Sequence, residues 1–163
     1  MTAPIRILGI GSPFGGDSIG LQAAQKLSGK FPSALVSVDE LDRPGIGLIR
    51  AMEDARIAIL MDAVMTGAQV GTIVRIERDR ISHAMARHTS THGFGIAEAL
   101  LLAEKLQQLP QQLVLIGVEI SRKNDPLDGA ALDALVEEVS SEVSKAMNSM
   151  GVHCLNSSSL EEG

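Results

Sequence analysis

The sequence predicts an α/β fold, a single doubly wound domain with helices on both faces of a mostly parallel sheet of about five strands. Three observations carry this. Ile5 to Gly11, Arg56 to Met61 and Gln112 to Ile120 are near-continuous apolar runs, the pattern of strands buried on both faces. Segments with helical spacing alternate with them, as in proteins where helices cross over a parallel sheet. No internal repeat or linker interrupts the 163 residues, a length that fits one core.

Taken in order, Ile5 to Gly11 (IRILGIG) is the first strand, and the glycine-rich turn Ser12 to Gly16 leads into a helix over Asp17 to Leu27. There Ile19, Leu21, Ala23, Ala24 and Leu27 form the apolar stripe. Ala34 to Val38 reads as the second strand, Gly45 to Asp54 as a short helix and Arg56 to Met61 as the third strand. Gly71 to Arg78 alternates apolar and polar residues, so it is expected half exposed, as an antiparallel edge strand. Arg80 to Thr91 has no clean period and reads as a surface loop. Gly93 to Gln108 is a helix with Thr89, Ser90 or Thr91 as cap, stopped by Pro110. Gln112 to Ile120 is the last strand and Asp128 to Met150 the last helix, ended by Gly151. The domain thus covers 1–151, with a polar tail, 152–163, expected to be mobile. The expected strand order is 2-1-3-5 with the alternating strand antiparallel at one edge. Such an order has a switch point between the first and third strands, where ligands usually bind.

Composition narrows the function classes. Hydrophobic residues make up 45% and charged residues 21%, which excludes disorder as the main state. There are three Phe, no Trp and no Tyr, so the core is built from aliphatic residues and seven Met. The net charge of −6 and the missing aromatic stacking platforms exclude nucleic-acid binding. A single cysteine, Cys154, excludes a disulfide framework and a Cys-rich zinc site, which fits a cytoplasmic location. No apolar stretch reaches the ~20 residues that span a bilayer. No secretory h-region follows Met1, so a soluble chain unprocessed at its N-terminus is expected.

Three residues converge on the expected switch point. Asp62 follows the apolar third strand, where a charge is costly unless solvated, capped or coordinating. Asp17 stands at the end of the glycine-rich turn after the neighbouring first strand, so both carboxylates face one cleft, where they either share a proton or hold a cation. His92, at the start of the helix leading to the last strand, supplies an imidazole at the same rim. Two acids and one imidazole resemble an incomplete site for a divalent first-row ion. His88, four residues before His92, offers a rival local pair, while His83 reads as a solvated loop residue. A dinucleotide-binding reading of Gly9 to Gly16 competes, with Asp39, Glu40 or Asp42 as ribose acceptors. Against it, the third glycine is displaced by one position and Asp17 puts a carboxylate where phosphate charge would sit. Cys154 beside His153, and the Arg75, Arg78 and Arg80 cluster, read as inert surface features.

The motifs Gly9-Ile-Gly-Ser-Pro-Phe-Gly-Gly-Asp-Ser-Ile-Gly20, Met61-Asp-Ala-Val-Met-Thr-Gly67 and Ser90-Thr-His-Gly-Phe-Gly95, with Gly117-Val-Glu-Ile120 as a further echo, resemble the NiFe-hydrogenase maturation endopeptidases. The likeness runs from Ile5 to about Met150. It implies removal of a C-terminal peptide from the hydrogenase large-subunit precursor after nickel insertion, with nickel supplied by the substrate; other divalent metals could occupy the isolated protein. Carried over by position, the nickel-contacting residues fall on Asp17, Asp62 and His92. Aligning the shortened turn backward from Gly20 selects Asp17, whereas aligning forward from Gly9 would select Ser18, a poor metal ligand. The segment after the second strand matches as Asp42-Arg-Pro-Gly-Ile-Gly47, a departure that suggests a different substrate preference. The implied partner is the large-subunit precursor, with no nucleic acid, no membrane and a monomer as the expected state. Phe14 and Phe94, two of the three aromatic rings, fall inside the motif loops and are expected, with Asp42, to line the substrate groove.

Overall fold

The computed structural model describes residues 3–85 and 95–151. Strand β1 (Ile5–Gly11) is buried along its whole length because it has a partner on each side. It pairs in parallel with β2 (Val36–Asp42) and with β3 (Ile57–Val64), Ile5 lying opposite both Val36 and Ile57. Parallel β5 (Gln112–Glu119) adds to β3, and β4 (Ile73–Glu77) closes the far edge antiparallel to β5. The order β2-β1-β3-β5-β4 is the one expected from the sequence, with the alternating strand in its antiparallel edge position.

Side-chain alternation splits the core into two layers. Ile5, Ile7, Ile57, Ile59 and Met61 point to the face covered by helices α1 (Ile19–Leu27) and α5 (Gly129–Ser149). Leu8, Ile10, Ala58, Leu60 and Val64 point to the face covered by α2 (Gly47–Ala51), α3 (Arg78–Met85) and α4 (Ile96–Lys105). Each of the fully buried aliphatic side chains, such as Leu27 and Leu60, contributes about 1.5–3 kcal/mol relative to exposure. Asp128 caps α5 by accepting from the Ala131 N–H at 3.0 Å. No helix among the described residues is long and apolar enough to cross a membrane.

Several boundaries differ from the sequence reading. The chain makes a 3-10 turn over Gly15–Ser18 before α1, so Asp17 lies in that turn and the helix starts at Ile19. Strand β2 runs on to Asp42, because β1 offers it ladder partners as far as Gly11 although its own residues are polar. Residues 78–85 are helical where a loop is expected: Ile81 and Met85, one turn apart, are buried and anchor an otherwise polar segment. Helix α4 is capped at Gly95, whose N–H donates to the Glu98 carboxylate at 3.0 Å, not at the preceding threonines and serine. Those three residues, together with His88, His92 and Phe94, lie outside the described residues, as does the tail with His153 and Cys154.

Candidate active site

Connections leave β1 over one face of the sheet and reach β3 over the other, opening a crevice at their carboxyl ends. Gly11 closes β1 there. The Ser12 N–H donates to the Asp17 carbonyl at 3.2 Å and folds the intervening residues into a tight loop. A Cβ at Gly11 would lie 2.1 Å from the Asp17 carbonyl oxygen and 3.9 Å from Asp62 Oδ1. The missing side chain therefore lets the turn fold back over the strand end, bringing the half-buried Asp17 toward Asp62.

Asp62 is part of β3 itself. Pairing with β5 continues through Val64, so the sequence expectation of a strand ending at Met61, with Asp62 beyond it, is corrected. Its neighbour on β5 is Gly117, and a Cβ there would stand 2.6 Å from Val64 Cγ1 and 3.1 Å from the Asp62 carbonyl oxygen. Asp62 is 7% exposed, and its Oδ1 accepts from the Ala63 N–H at 2.8 Å. Burial pushes its carboxyl well above the usual range, the charge of Asp17 pushes the same way, and the Ala63 hydrogen bond only partly offsets them. The charged form of Asp62 is thus disfavoured where it stands.

Asp42 ends β2 opposite Gly11 and reaches the same rim, correcting its expected place in a loop beyond the second strand. The Arg43 N–H donates to the Gly11 carbonyl at 2.9 Å, and the Arg43 side chain pairs with Asp42 at 2.7 Å. The Arg43 guanidinium is held above its usual range chiefly by this hydrogen bond and by the Asp42 charge, with a smaller contribution from Asp17. Phe14 is 63% exposed at the outer side of the turn. Helix α4, whose sequence follows His92 closely, packs on the face to which Asp62 points. No three His, Cys, Asp or Glu side chains stand close enough to hold a metal among the described residues, a set that does not include His92.

Two residues receive no role in the sequence reading, although Glu119 falls inside its Gly117-Val-Glu-Ile120 motif. Glu119, 3% exposed at the end of β5, accepts from the Thr66 N–H, the Thr66 hydroxyl and the Gly67 N–H at 2.7–3.0 Å, fixing the loop after β3. That loop borders a cleft of about 590 Å³ lined by Met65, Thr66, Val70, Glu119 and Arg122 among others. Asn124, in the turn before α5, engages the glycine-rich turn: the Gly16 N–H donates to its carbonyl at 3.2 Å and the Asp17 N–H to its Oδ1 at 2.8 Å. These amides are the ones a pyrophosphate would need. A Cβ at Gly16 would lie 2.8 Å from both the Asp125 carbonyl oxygen and Ile120 Cγ2, so the space beside the turn is filled by protein. The dinucleotide reading loses its cradle.

Comparison with known proteins agrees with the fold. The family model HycI, described as hydrogenase maturation protease, matches residues 43–150. The hydrogenase expression/formation protein HupD of Thiocapsa roseopersicina is 33% identical over 118 residues, covering 71% of this chain and 53% of that protein. HoxM of Azotobacter vinelandii, with the same description, is 33% identical over 130 residues, covering 77% and 62%. The chain thus spans between about half and three fifths of the length of these curated relatives. Among solved structures, the Escherichia coli hydrogenase maturating endopeptidase HybD superposes with a TM-score of 0.74 at 21% identity, over 90% of this chain and 93% of that one. The NiFe-hydrogenase maturation protease HycI of Thermococcus kodakarensis gives 0.62 at 20% identity, over 88% and 93%. Both share the fold. On the family match, this chain belongs to the hydrogenase maturation proteases.

Proposed function

We propose that the chain is an endopeptidase that removes the C-terminal extension of a NiFe-hydrogenase large-subunit precursor after nickel has been inserted. The observation that carries this is the Asp17 and Asp62 pair at the switch point of a hydrogenase maturation protease fold, with the Asp62 carboxyl raised first by its burial and then by the charge of Asp17. A cation beside Asp62 would favour the charged form that burial and the neighbouring acid disfavour. Two carboxylate oxygens with the imidazole of His92 make a donor set suited to a divalent first-row ion.

In this reading nickel belongs to the substrate. Asp17, Asp62 and His92 take its exposed coordination positions, so only a loaded precursor is gripped and its scissile peptide is held against the carboxylates. The ion supplies Lewis-acid polarisation, and a carboxylate of the pair accepts the proton of the attacking water. Phe14, exposed at the rim, grips the precursor tail together with Phe94, and Asp42 with Arg43 borders the same groove. The reaction is assigned to the cytoplasm, with the chain acting as a monomer.

The test is incubation of the purified chain with nickel-loaded and nickel-free precursor, followed by the mass of the large subunit. Cleavage confined to the loaded form, and abolished by Asp17→Asn combined with His92→Ala, is the expected result. Equal cleavage of both forms, or undiminished cleavage by the double variant, refutes it.

A further inference from the structure

We infer that Asn124 is a positioning residue that sets the location of the Asp17 carboxylate from a turn 107 residues further along the chain. The inference rests on the assignment of Asp17 made above. One asparagine engages three positions of the turn: its carbonyl accepts from the Gly16 N–H at 3.2 Å, its Oδ1 accepts from the Asp17 N–H at 2.8 Å, and its Nδ2 donates to the Phe14 carbonyl at 2.9 Å. The side chain must accept at one end and donate at the other, which an amide does and a carboxylate does not. Gly15 is shaped to this contact. A Cβ there would come within 2.0 Å of the Asn124 carbonyl oxygen and 3.0 Å of Nδ2, and its φ of 57° is itself a glycine conformation.

Asn124 is in turn fixed by its own loop. It sits at φ 56°, a region that asparagine tolerates better than most residues. Its N–H donates to the Ser121 carbonyl at 3.0 Å, while the Ser121 hydroxyl bonds Asp125 Oδ2 at 2.9 Å and accepts from the Asp125 N–H at 3.1 Å. Neither N-cap residue, Phe14 before the 3-10 turn nor Ser18 before α1, supplies a side-chain cap, and the Ser18 hydroxyl donates instead to the Gly15 carbonyl at 2.7 Å. The backbone of Asp17 is therefore held by the Ser12 contact on one side and by Asn124 on the other. Without the side chain of Asn124 the turn remains, and Asp17 loses the restraint on its N–H.

The variant that isolates this role is Asn124→Gly, which keeps the left-handed backbone and the Gly16 contact while removing both side-chain bonds. Single-turnover processing of nickel-loaded precursor is measured for wild type, Asn124→Gly, Asp17→Asn and the double variant, with thermal melts alongside. The expected result is a maximal rate lowered between about 10- and 100-fold by Asn124→Gly, with the apparent KM changed by less than about 2-fold. The double variant is expected to be no slower than Asp17→Asn, since Asn124 acts only through Asp17. A wild-type rate for Asn124→Gly beside a slow Asp17→Asn overturns the positioning role alone, as does an undiminished effect of Asn124→Gly in the Asp17→Asn background. A wild-type rate for Asp17→Asn overturns the assignment of Asp17 on which the inference rests.

Discussion

Gly20 lies where α1 presses hardest on the sheet. A Cβ at this position would stand 2.3 Å from the Ile10 carbonyl oxygen and 2.5 Å from the Met61 carbonyl oxygen. Relaxed carbon to oxygen contacts begin at about 3.3 Å, so Gly20→Ala falls short by about 1 Å on β1 and about 0.8 Å on β3. Both oxygens belong to central strands paired on each side, so the helix must move and not the sheet. Two effects oppose each other. Alanine is better than glycine in a helix by up to about 1 kcal/mol, but overpacking against unyielding neighbours costs about 1–3 kcal/mol. With backbone on both sides the second prevails, for a net loss of about 1–2 kcal/mol. In a chain of this size that lowers the melting temperature by about 2–8 °C.

The processing proposed above should suffer more than stability, because a shift of about 1 Å in α1 would carry Asp17 away from Asp62, and misplacements of that size cost about 100-fold in rate. Gly129→Ala is the matched control: it opens α5 with nothing within 4 Å of the added carbon, and should raise stability by about 0.4–1 kcal/mol. Circular-dichroism melts with a processing assay measure both. A Gly20→Ala chain that melts at or above wild type, or two variants that shift in the same direction, would refute the argument from close packing.

Asp62 holds its proton to a higher pH in the folded chain than its ordinary value of 3.8 when unfolded, so the folded state binds more protons between those values and stability falls as pH rises through that window. In metal-free buffer Asp62→Asn should therefore melt above wild type at about pH 7, with the gap closing below about pH 4; a gap that widens on acidification contradicts the raised carboxyl. Glu119→Ala strands the Thr66 and Gly67 N–H groups and should cost about 2–4 kcal/mol in urea denaturation, whereas a loss under about 1 kcal/mol would mean the loop finds other partners. Arg75, which bonds the Glu142 and Glu77 carboxylates at 2.6 Å on the outer side of the sheet, is 39% exposed in its side chain; Arg75→Ala should cost no more than about 1 kcal/mol, and most of that should vanish in high salt.

What the sequence makes legible is whatever a local pattern encodes. The buried strands β1, β3 and β5 announce themselves by continuous apolar runs, β4 by alternation, and α5 by a long stripe with Asp128 at its head. Motif order brings Asp17 and Asp62 together before any coordinates do. Polar ends of paired strands are hidden: Asp39, Glu40 and Asp42 look like loop, because what extends β2 is the ladder that β1 provides. Asp62 looks terminal for the same reason, since β5 carries the pairing past it. Helix α3 offers only Ile81 and Met85 as an apolar pair, too few to set a period. Asn124 is invisible for another reason. Lys123 to Pro126 reads as a turn, and an asparagine in a turn is ordinary until hydrogen bonds spanning 107 residues show what it holds.

The parallel pairing of β1 with β3, Ile5 against Ile57, also governs how the site comes into being as the chain folds. Asp17 and Asp62 are joined by no local hairpin; they meet only after β2 has gone to the sheet edge and α1 and α2 have crossed over opposite faces. Such non-local pairing is slow, because loop closure precedes the contacts that reward it. The mutual repulsion of the acids is thus deferred until the central strands already hold them. A fragment ending before Ile57 would carry Asp17, the whole glycine-rich turn and the β1 and β2 side of the crevice but not Asp62, so the proteolytic activity proposed above should appear in step with completion of the sheet and report on it directly.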